Sequence, residues 1–68
     1  MNYVYTVPDC LSDGDLAWFD NLQTRQVEGP FLVVLWTPSR IAYCNLLDTA
    51  SGKTFSIFKN QIRIPNAI

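Results

Sequence analysis

One apolar run with a proline near each end constrains this chain more than any other feature. Gly29-Pro30 opens the run Phe31 to Trp36, and Thr37-Pro38 closes it. Because Pro donates no ladder hydrogen bond and Gly permits unusual backbone angles, such dipeptides mark the ends of a strand. A continuous apolar run is typical of a central strand that is buried on both faces. We therefore predict such a strand at the centre of the fold.

A hairpin is predicted directly after this run. From Ile41 to Leu47 the residues alternate, and one side of the predicted strand contains Ala42, Cys44 and Leu46. Residues 48–52 have turn chemistry, because small polar side chains bond the backbone and Gly52 adopts positive φ easily. Residues 53–58 then return as the second strand of the hairpin.

The two ends of the chain also have the pattern of short strands. Residues 3–7 are β-branched or aromatic and stop at Pro8, and residues 62–64 form an apolar run that Pro65 ends. Residues 58–60 have the composition of a tight turn into that last strand. The C-terminal half is therefore predicted to be an antiparallel meander.

Residues 13–27 can be interpreted as a helix. Ser12 and Asp15 form a capping pair, Gly29 serves as a stop, and apolar residues recur at helical spacing: Leu16, Phe19 and Leu22. This interpretation predicts an α+β domain, with one helix packed on the antiparallel meander.

The same segment can be interpreted as a strand followed by a loop. Asp13-Gly14 is then a turn, residues 15–19 are a strand, and residues 20–28 are a long polar loop. Periodicity alone leaves both interpretations open. The second one predicts a mainly β domain of about five strands.

The length of the chain allows one core. At 68 residues the chain lies near the lower limit for an unstapled domain, since a domain of this size buries only about 60% of its unfolded surface. Apolar residues make up 49% of the sequence and charged residues 16%, as in ordinary globular domains. Because no repeat or linker divides the chain, we predict a single domain over residues 1–68.

The sequence lacks the residues that metal sites and most catalytic sites need. There is no His, and Cys10 and Cys44 lie far apart, so we expect no metal, no cofactor and two buried, unpaired cysteines. Ser51 to Thr54 matches the end of a phosphate-binding loop, but Leu47 stands where that loop needs Gly. No apolar run approaches the roughly 20 residues of a membrane span. We expect a cytoplasmic non-enzyme.

Two segments resemble a known family. Residues 14–19 read GDLAWF, residues 29–38 read GPFLVVLWTP, and IRIP follows the predicted hairpin. This order resembles small SH3-like barrels, most closely the C-terminal barrel of retroviral integrases, in which GDxVW-type and GPF/GPY-type strands precede a threonine-proline turn. The matching residues are Gly14, Asp15, Trp18, Gly29, Pro30, Phe31 and Val34. The resemblance implies an SH3-like antiparallel barrel that binds nucleic acid.

The uneven charge distribution bears on the partner. Residues 1–34 contain five acidic side chains and one base, whereas residues 35–68 contain one acid and four bases: Arg40, Lys53, Lys59 and Arg63. These bases, with a nucleotide base stacked on Tyr43, could follow a nucleic-acid backbone. The formal net charge of −1 and the acidic N-terminal half oppose polyanion binding, and the integrase family is richer in Lys and Arg.

We therefore expect an interaction module that binds a protein partner or a second copy of itself. Exposed aromatic residues can line a groove for an extended peptide, and the candidates are Trp18 and Tyr43, the latter beside Arg40. An open edge strand is a second means of binding. The alternative expectation is a nucleic-acid-binding SH3-like barrel. Small size and the lack of recognisable chemistry suggest an accessory protein of a phage or mobile element.

Overall fold

A computed structural model describes residues 3–67 of the chain. It contains six strands and one 3-10 turn: β1 (Tyr3–Thr6), β2 (Leu16–Asn21), β3 (Gln26–Leu35), β4 (Tyr43–Asp48), β5 (Lys53–Phe58), the turn Lys59–Gln61 and β6 (Ile62–Ala67). The described residues form no α-helix. Accordingly, this part of the chain has no helix with the length and apolar character that a membrane crossing requires.

The strands form one antiparallel sheet in the order β1-β6-β2-β3-β4-β5. Strands β2 to β5 are consecutive neighbours, so the predicted hairpin and the meander from β3 to β5 are confirmed. The prediction that the last strand continues this meander is wrong, because β6 pairs with β2 and β1 instead of β5. The 3-10 turn connects β5, at one edge of the sheet, to β6, which lies between β1 and β2 near the other edge.

The sheet is strongly curled. The rings of Phe19 in β2 and Phe55 in β5 have centroids 5.8 Å apart, although three strand spacings in a flat sheet span about 14 Å. Phe31 in β3 lies between them, with centroids 5.4 Å from Phe19 and 5.2 Å from Phe55. The fold is therefore mainly β, as predicted. Within the described residues β5 pairs only with β4, so the sheet is not closed into a barrel.

The helical interpretation of residues 13–27 is wrong, because its three apolar residues do not share a face. Phe19 packs against the core, whereas Leu16 and Leu22 are exposed. The Ser12 and Asp15 pair does form, but it closes a turn: Asp15 Oδ2 accepts the Ser12 N–H at 2.8 Å, and the Asp15 N–H donates to the Ser12 carbonyl at 3.0 Å.

The predicted polar loop over residues 20–28 is also too long. Strand β2 continues to Asn21 and β3 begins at Gln26, which leaves a turn of four residues. Asn21 Oδ1 accepts the N–H groups of Gln23 and Thr24, and Arg25 adopts a φ of 61°. The Asn21 amide therefore replaces part of the backbone ladder with a side-chain turn, a role that is common for Asn.

The apolar run is a central strand, but it is not buried on both faces. Val33 is fully buried, whereas Val34 and Leu35 are 37% and 45% exposed. The register places one extra β3 residue between Ala17 and Phe19 of β2, at Gly29-Pro30, and another opposite β4, at Val34. Bulges of this kind re-aim side chains and accommodate a proline inside a sheet.

The core is small and lies on the inner side of the curled sheet. Its fully buried apolar residues are Ala17, Val33, Cys44, Leu46 and Ile62. The predicted inward face of β4 is thus correct for Cys44 and Leu46, whereas Ala42 precedes the strand and is exposed. Both thiols are free, and Cys10 is exposed, because the loop points Leu11 at the core instead.

Pro65 does not end the last strand. It lies opposite Tyr5 of β1, and β6 continues to Ala67. Pairing of β6 with β2 covers only Ile62 and Arg63. At Pro65 the strand therefore has a neighbour on one side only, where a residue without an N–H is tolerated.

Candidate functional site

Part of the outer side of the sheet is uncharged across four strands, whereas the ion pair of Asp20 and Arg63 lies farther along β2 on the same side. The register aligns Leu16, Leu32, Leu47 and Thr54 in one row, Leu35, Asn45 and Ser56 in a second, and Tyr43 with Phe58 in a third. We call these nine residues the outer face. Antiparallel sheets that face water usually place polar side chains on that side, whereas six of these nine side chains are apolar or aromatic and none is charged.

Tyr43 and Phe58 form the most exposed aromatic pair of this surface. They occupy directly opposite positions on β4 and β5 and are 48% and 59% exposed. These two side chains line a shallow groove together with Ser56, Ile57 and Gln61. An aromatic pair beside an unpaired strand edge can both stack on a ligand and offer backbone hydrogen bonds.

The backbone around Tyr43 is held by three contacts. The buried Thr37 hydroxyl donates to the Tyr43 carbonyl. The Lys59 N–H donates to the Ala42 carbonyl at 2.8 Å, and the Ile41 N–H donates to the Pro38 carbonyl at 2.8 Å. The threonine-proline turn therefore fixes the start of β4 and, with it, the position of the Tyr43 ring.

The middle of the outer face is polar but neutral. The Ser56 hydroxyl donates to Asn45 Oδ1 at 2.7 Å, and these two residues are opposite each other in the hairpin. Leu35 flanks Asn45 from β3 and is largely exposed. A partner that covered this region would bury apolar area and would leave no unpaired charge in the interface. An uncharged surface costs the least free energy to desolvate.

Lys59, one of the predicted binding bases, is committed to intramolecular contacts. Its ammonium donates to the Thr37 carbonyl at 2.7 Å and to the Pro38 carbonyl at 3.0 Å. It also lies 5.0 Å from the centroid of the Trp36 ring, a cation–π distance. Lys59 therefore fastens the threonine-proline turn to the end of β5.

Arg63 and Trp18 are opposite each other on β6 and β2 and are likewise engaged. Arg63 Nη1 donates to the carbonyls of Asn60 and Ile62, and Nη2 lies 3.5 Å from the Asp20 carboxylate. Trp18 packs on Tyr5, with centroids 6.2 Å apart, and its indole also covers Gly29. Neither residue contributes to the outer face.

The four predicted bases do not form a continuous strip. Lys53 begins β5 and Phe58 ends it, so Lys53 lies about 17 Å from the aromatic pair at 3.3 Å per residue. Arg40 is exposed in the turn before β4, three residues before Tyr43 in the chain. Of the predicted binding set, only Tyr43 belongs to the outer face.

Sequence reasoning missed Phe58 and the leucines of the outer face. Phe58 is predicted as the end of a strand and the start of a tight turn and is not among the candidate binding residues, and the leucines of β3 are predicted to lie in a doubly buried strand. One signal could have found Phe58: with residues 48–52 as the turn, a hairpin that pairs Asp48 with Lys53 also pairs Tyr43 with Phe58. The leucines were hidden by the bulges of β3, which have no simple sequence signature.

Other kinds of site gain no support from the described residues. Within residues 3–67 no group of three His, Cys, Asp or Glu side chains lies close enough to hold a metal ion. Burial raises the pKa of the Cys44 thiol, and the positive charge of Lys59 offsets part of this rise. A buried thiol with a raised pKa is a poor nucleophile.

Comparisons with protein-family models, with curated proteins and with solved structures found no match to this chain.

Proposed function

We propose that this chain is a non-catalytic interaction module that binds protein through its outer face, with Tyr43 and Phe58 as anchors. The observation that supports this proposal is the uncharged outer face itself, which leaves two large aromatic side chains about half exposed. The centres of protein interfaces are depleted in charge and enriched in aromatic residues. A few such anchors supply most of the binding energy.

We also propose that strands β2 to β6 form an SH3-like barrel with a gap between β5 and β6. Two observations support this proposal: β6 returns to pair with β2, and the curl brings Phe19 and Phe55 into contact. The lining of the groove at Tyr43 and Phe58 includes Gln61 of the 3-10 turn, which leads into β6. An extended peptide that lay along β5 would enter the gap and pair with its free edge.

The arrangement of the bases favours a protein partner over nucleic acid. Lys59 and Arg63 are bound to carbonyl groups of the same chain, and Lys53 is distant from the aromatic pair. Arg40, three residues before Tyr43 in the chain, is the remaining base of this half. Affinity for a polyanion grows with the number of phosphates that are neutralised, and a single base beside an uncharged face supplies little of that affinity.

A selection experiment tests the proposal. A library of displayed random peptides is enriched on the immobilised chain, and the enriched peptides are then measured against Phe58→Ala, Leu35→Glu and Leu22→Glu. Leu22 is exposed in the β2–β3 turn, so Leu22→Glu is a matched control for Leu35→Glu. We expect binding to be lost in the two outer-face variants and retained in the control.

Two results would contradict the proposal. One is peptide binding that neither outer-face variant weakens. The other is binding of fluorescent single-stranded or double-stranded DNA or RNA that falls steeply with salt and is lost in Arg40→Ala/Lys53→Ala. That salt dependence is the signature of released counterions, and it would favour the nucleic-acid alternative.

A further inference from the structure

We infer that a second copy of the chain is one protein partner of this module, joined at the edge of the outer face by antiparallel pairing of β5 with β5 of the other copy. This inference rests on the proposed function, because β5 contributes three residues to the outer face. It specifies the occupant: the second copy's edge strand, centred on Ser56, with the two outer faces continuous across the contact.

Strand β5 is an unguarded edge. All six of its residues pair with β4 without a register shift, whereas both pairings of β3 contain bulges. Natural edge strands are protected by proline, bulges or charged side chains in the middle of the strand. The only charged residue in β5 is Lys53, at its first position. A regular, unprotected edge of this kind is a template for another strand.

The sequence of β5 is self-complementary about Ser56. A two-fold axis at Ser56 places Phe55 opposite the second copy's Ile57, and Thr54 opposite its Phe58. These are aromatic and β-branched pairs, which stabilise antiparallel strands. Phe55 and Ile57 already pack against the core from the inner side and are only partly buried, so the second copy would extend the core across the edge.

A two-fold axis one residue earlier, at Phe55, is less favourable. It would place Lys53 opposite the second copy's Ile57, and a cation would then stand in the middle of an apolar pair. The axis at Ser56 leaves Lys53 at the end of the paired segment, where it reaches water. The outer face carries no charge. The like charges that this register brings together, Lys53 and the second copy's Lys59, lie just beyond the last strand pair, where Lys53 is exposed.

The paired segment is short. In this register five residues of each β5, from Thr54 to Phe58, face the other copy. A contact of this length is an interface at the small end of the known range. We therefore expect a weak dimer that dissociates reversibly.

Sedimentation velocity from low to high protein concentration tests this inference. Wild type is compared with Ser56→Lys, which places two lysines opposite each other at the axis, and with Ser39→Lys, which adds the same charge in an exposed turn. We expect a reversible monomer–dimer equilibrium for wild type and Ser39→Lys. The Ser56→Lys dimer should have a Kd at least about tenfold higher.

A disulfide experiment tests the register of the contact. In a Cys10→Ser background, Ser56→Cys should oxidise to a covalent dimer, because directly opposite residues have Cα atoms about 4.5–5.5 Å apart. The control Ser39→Cys should remain monomeric under the same conditions. Circular dichroism of each variant confirms that the fold is retained.

The inference and the proposed function can fail independently. If the wild-type chain stays monomeric at every concentration, the inferred dimer is wrong. A dimer that Ser56→Lys does not weaken contradicts the inferred pairing of β5. Neither result affects the peptide selection, in which the outer-face variants are compared directly. A dimer that dissociates when selected peptides bind would support both the dimer and the proposed function.

Discussion

Tyr43 and Phe58 stand directly opposite each other at the last pair of the β4–β5 hairpin, and both keep about half of their surface exposed. The interaction proposal depends on this pair, because each aromatic ring is large and neither is used by the core. Replacing both with Ala should therefore separate binding from folding more clearly than any other change.

For Tyr43→Ala/Phe58→Ala we expect the free energy of unfolding to fall by about 1–3 kcal/mol, from the lost cross-strand pair and the lost half-buried area. Binding of selected peptides should be lost. Urea denaturation and peptide titration measure the two effects. The control Val4→Ala/Val7→Ala removes exposed apolar side chains near β1 and should leave binding intact. Peptide binding that survives in the aromatic double variant would show that Tyr43 and Phe58 are not the anchors.

Gly29 should tolerate no side chain. Its φ is +148°, and an added Cβ would meet Trp18 Cδ1 at 2.7 Å and the Ala17 carbonyl oxygen at 3.1 Å. We expect Gly29→Ala to lower the free energy of unfolding by about 2–4 kcal/mol, from backbone strain and overpacking together.

Gly52 offers the matched control for Gly29. Its φ is +75°, but an added Cβ meets nothing within 4 Å. Gly52→Ala should therefore cost only the backbone term, about 1–2 kcal/mol. Equal losses for the two variants in urea denaturation would show that Trp18 does not pack on Gly29 as described.

The sequence predicted most of the strands but left open the type of structure over residues 13–27. Ser12, Asp15 and the spacing of Leu16, Phe19 and Leu22 fit a helix as well as a strand, because the same Ser–Asp pair can cap a helix or close a turn. Pairing with β3 and β6 decided the outcome. Such long-range pairing is not encoded in local periodicity.

The candidate site was less predictable than the fold. Tyr43 was identified from alternation alone, and its exposure agrees with that interpretation. The leucines of β3 could not be found, because the bulges at Gly29-Pro30 and Val34 shift which side each residue faces. The contacts of the bases could not be predicted for another reason: backbone carbonyls that become available only in the fold bind Lys59 and Arg63.

Lys59 should contribute to stability, whereas Lys53 should not. Lys59 combines two hydrogen bonds to carbonyl groups with the contact to Trp36. We expect Lys59→Met to lower the free energy of unfolding by about 1–2 kcal/mol, because the group is partly exposed and its charged hydrogen bonds are weakened by solvent. Lys53→Met should change it by less than about 0.5 kcal/mol. Similar losses in thermal denaturation would refute the structural role of Lys59.

The two thiols should differ in reactivity. Cys10 is exposed and Cys44 is fully buried. Iodoacetamide should therefore label one thiol of the folded chain and both in urea, as mass spectrometry can show. Rapid labelling of both thiols without denaturant would contradict the burial of Cys44.

Stability should also fall at alkaline pH through Cys44. Burial raises the pKa of this thiol above its ordinary value of 9.0, so the folded chain keeps a proton that the unfolded chain loses. The contribution is fully present below the unfolded pKa and is lost as pH rises through the folded pKa. As pH rises above about 9, the free energy of unfolding should decline more steeply for wild type than for Cys44→Ala. Equal slopes would exclude this linkage.

The most direct test of the account is an NMR titration of the ¹⁵N-labelled chain with a selected peptide. Protein binding at the outer face predicts that the largest amide shift changes lie in β4 and β5, from Tyr43 to Phe58, with little change around Trp18 and Arg63. Shift changes centred on β1 or around Trp18 would place the binding surface elsewhere and contradict the proposal.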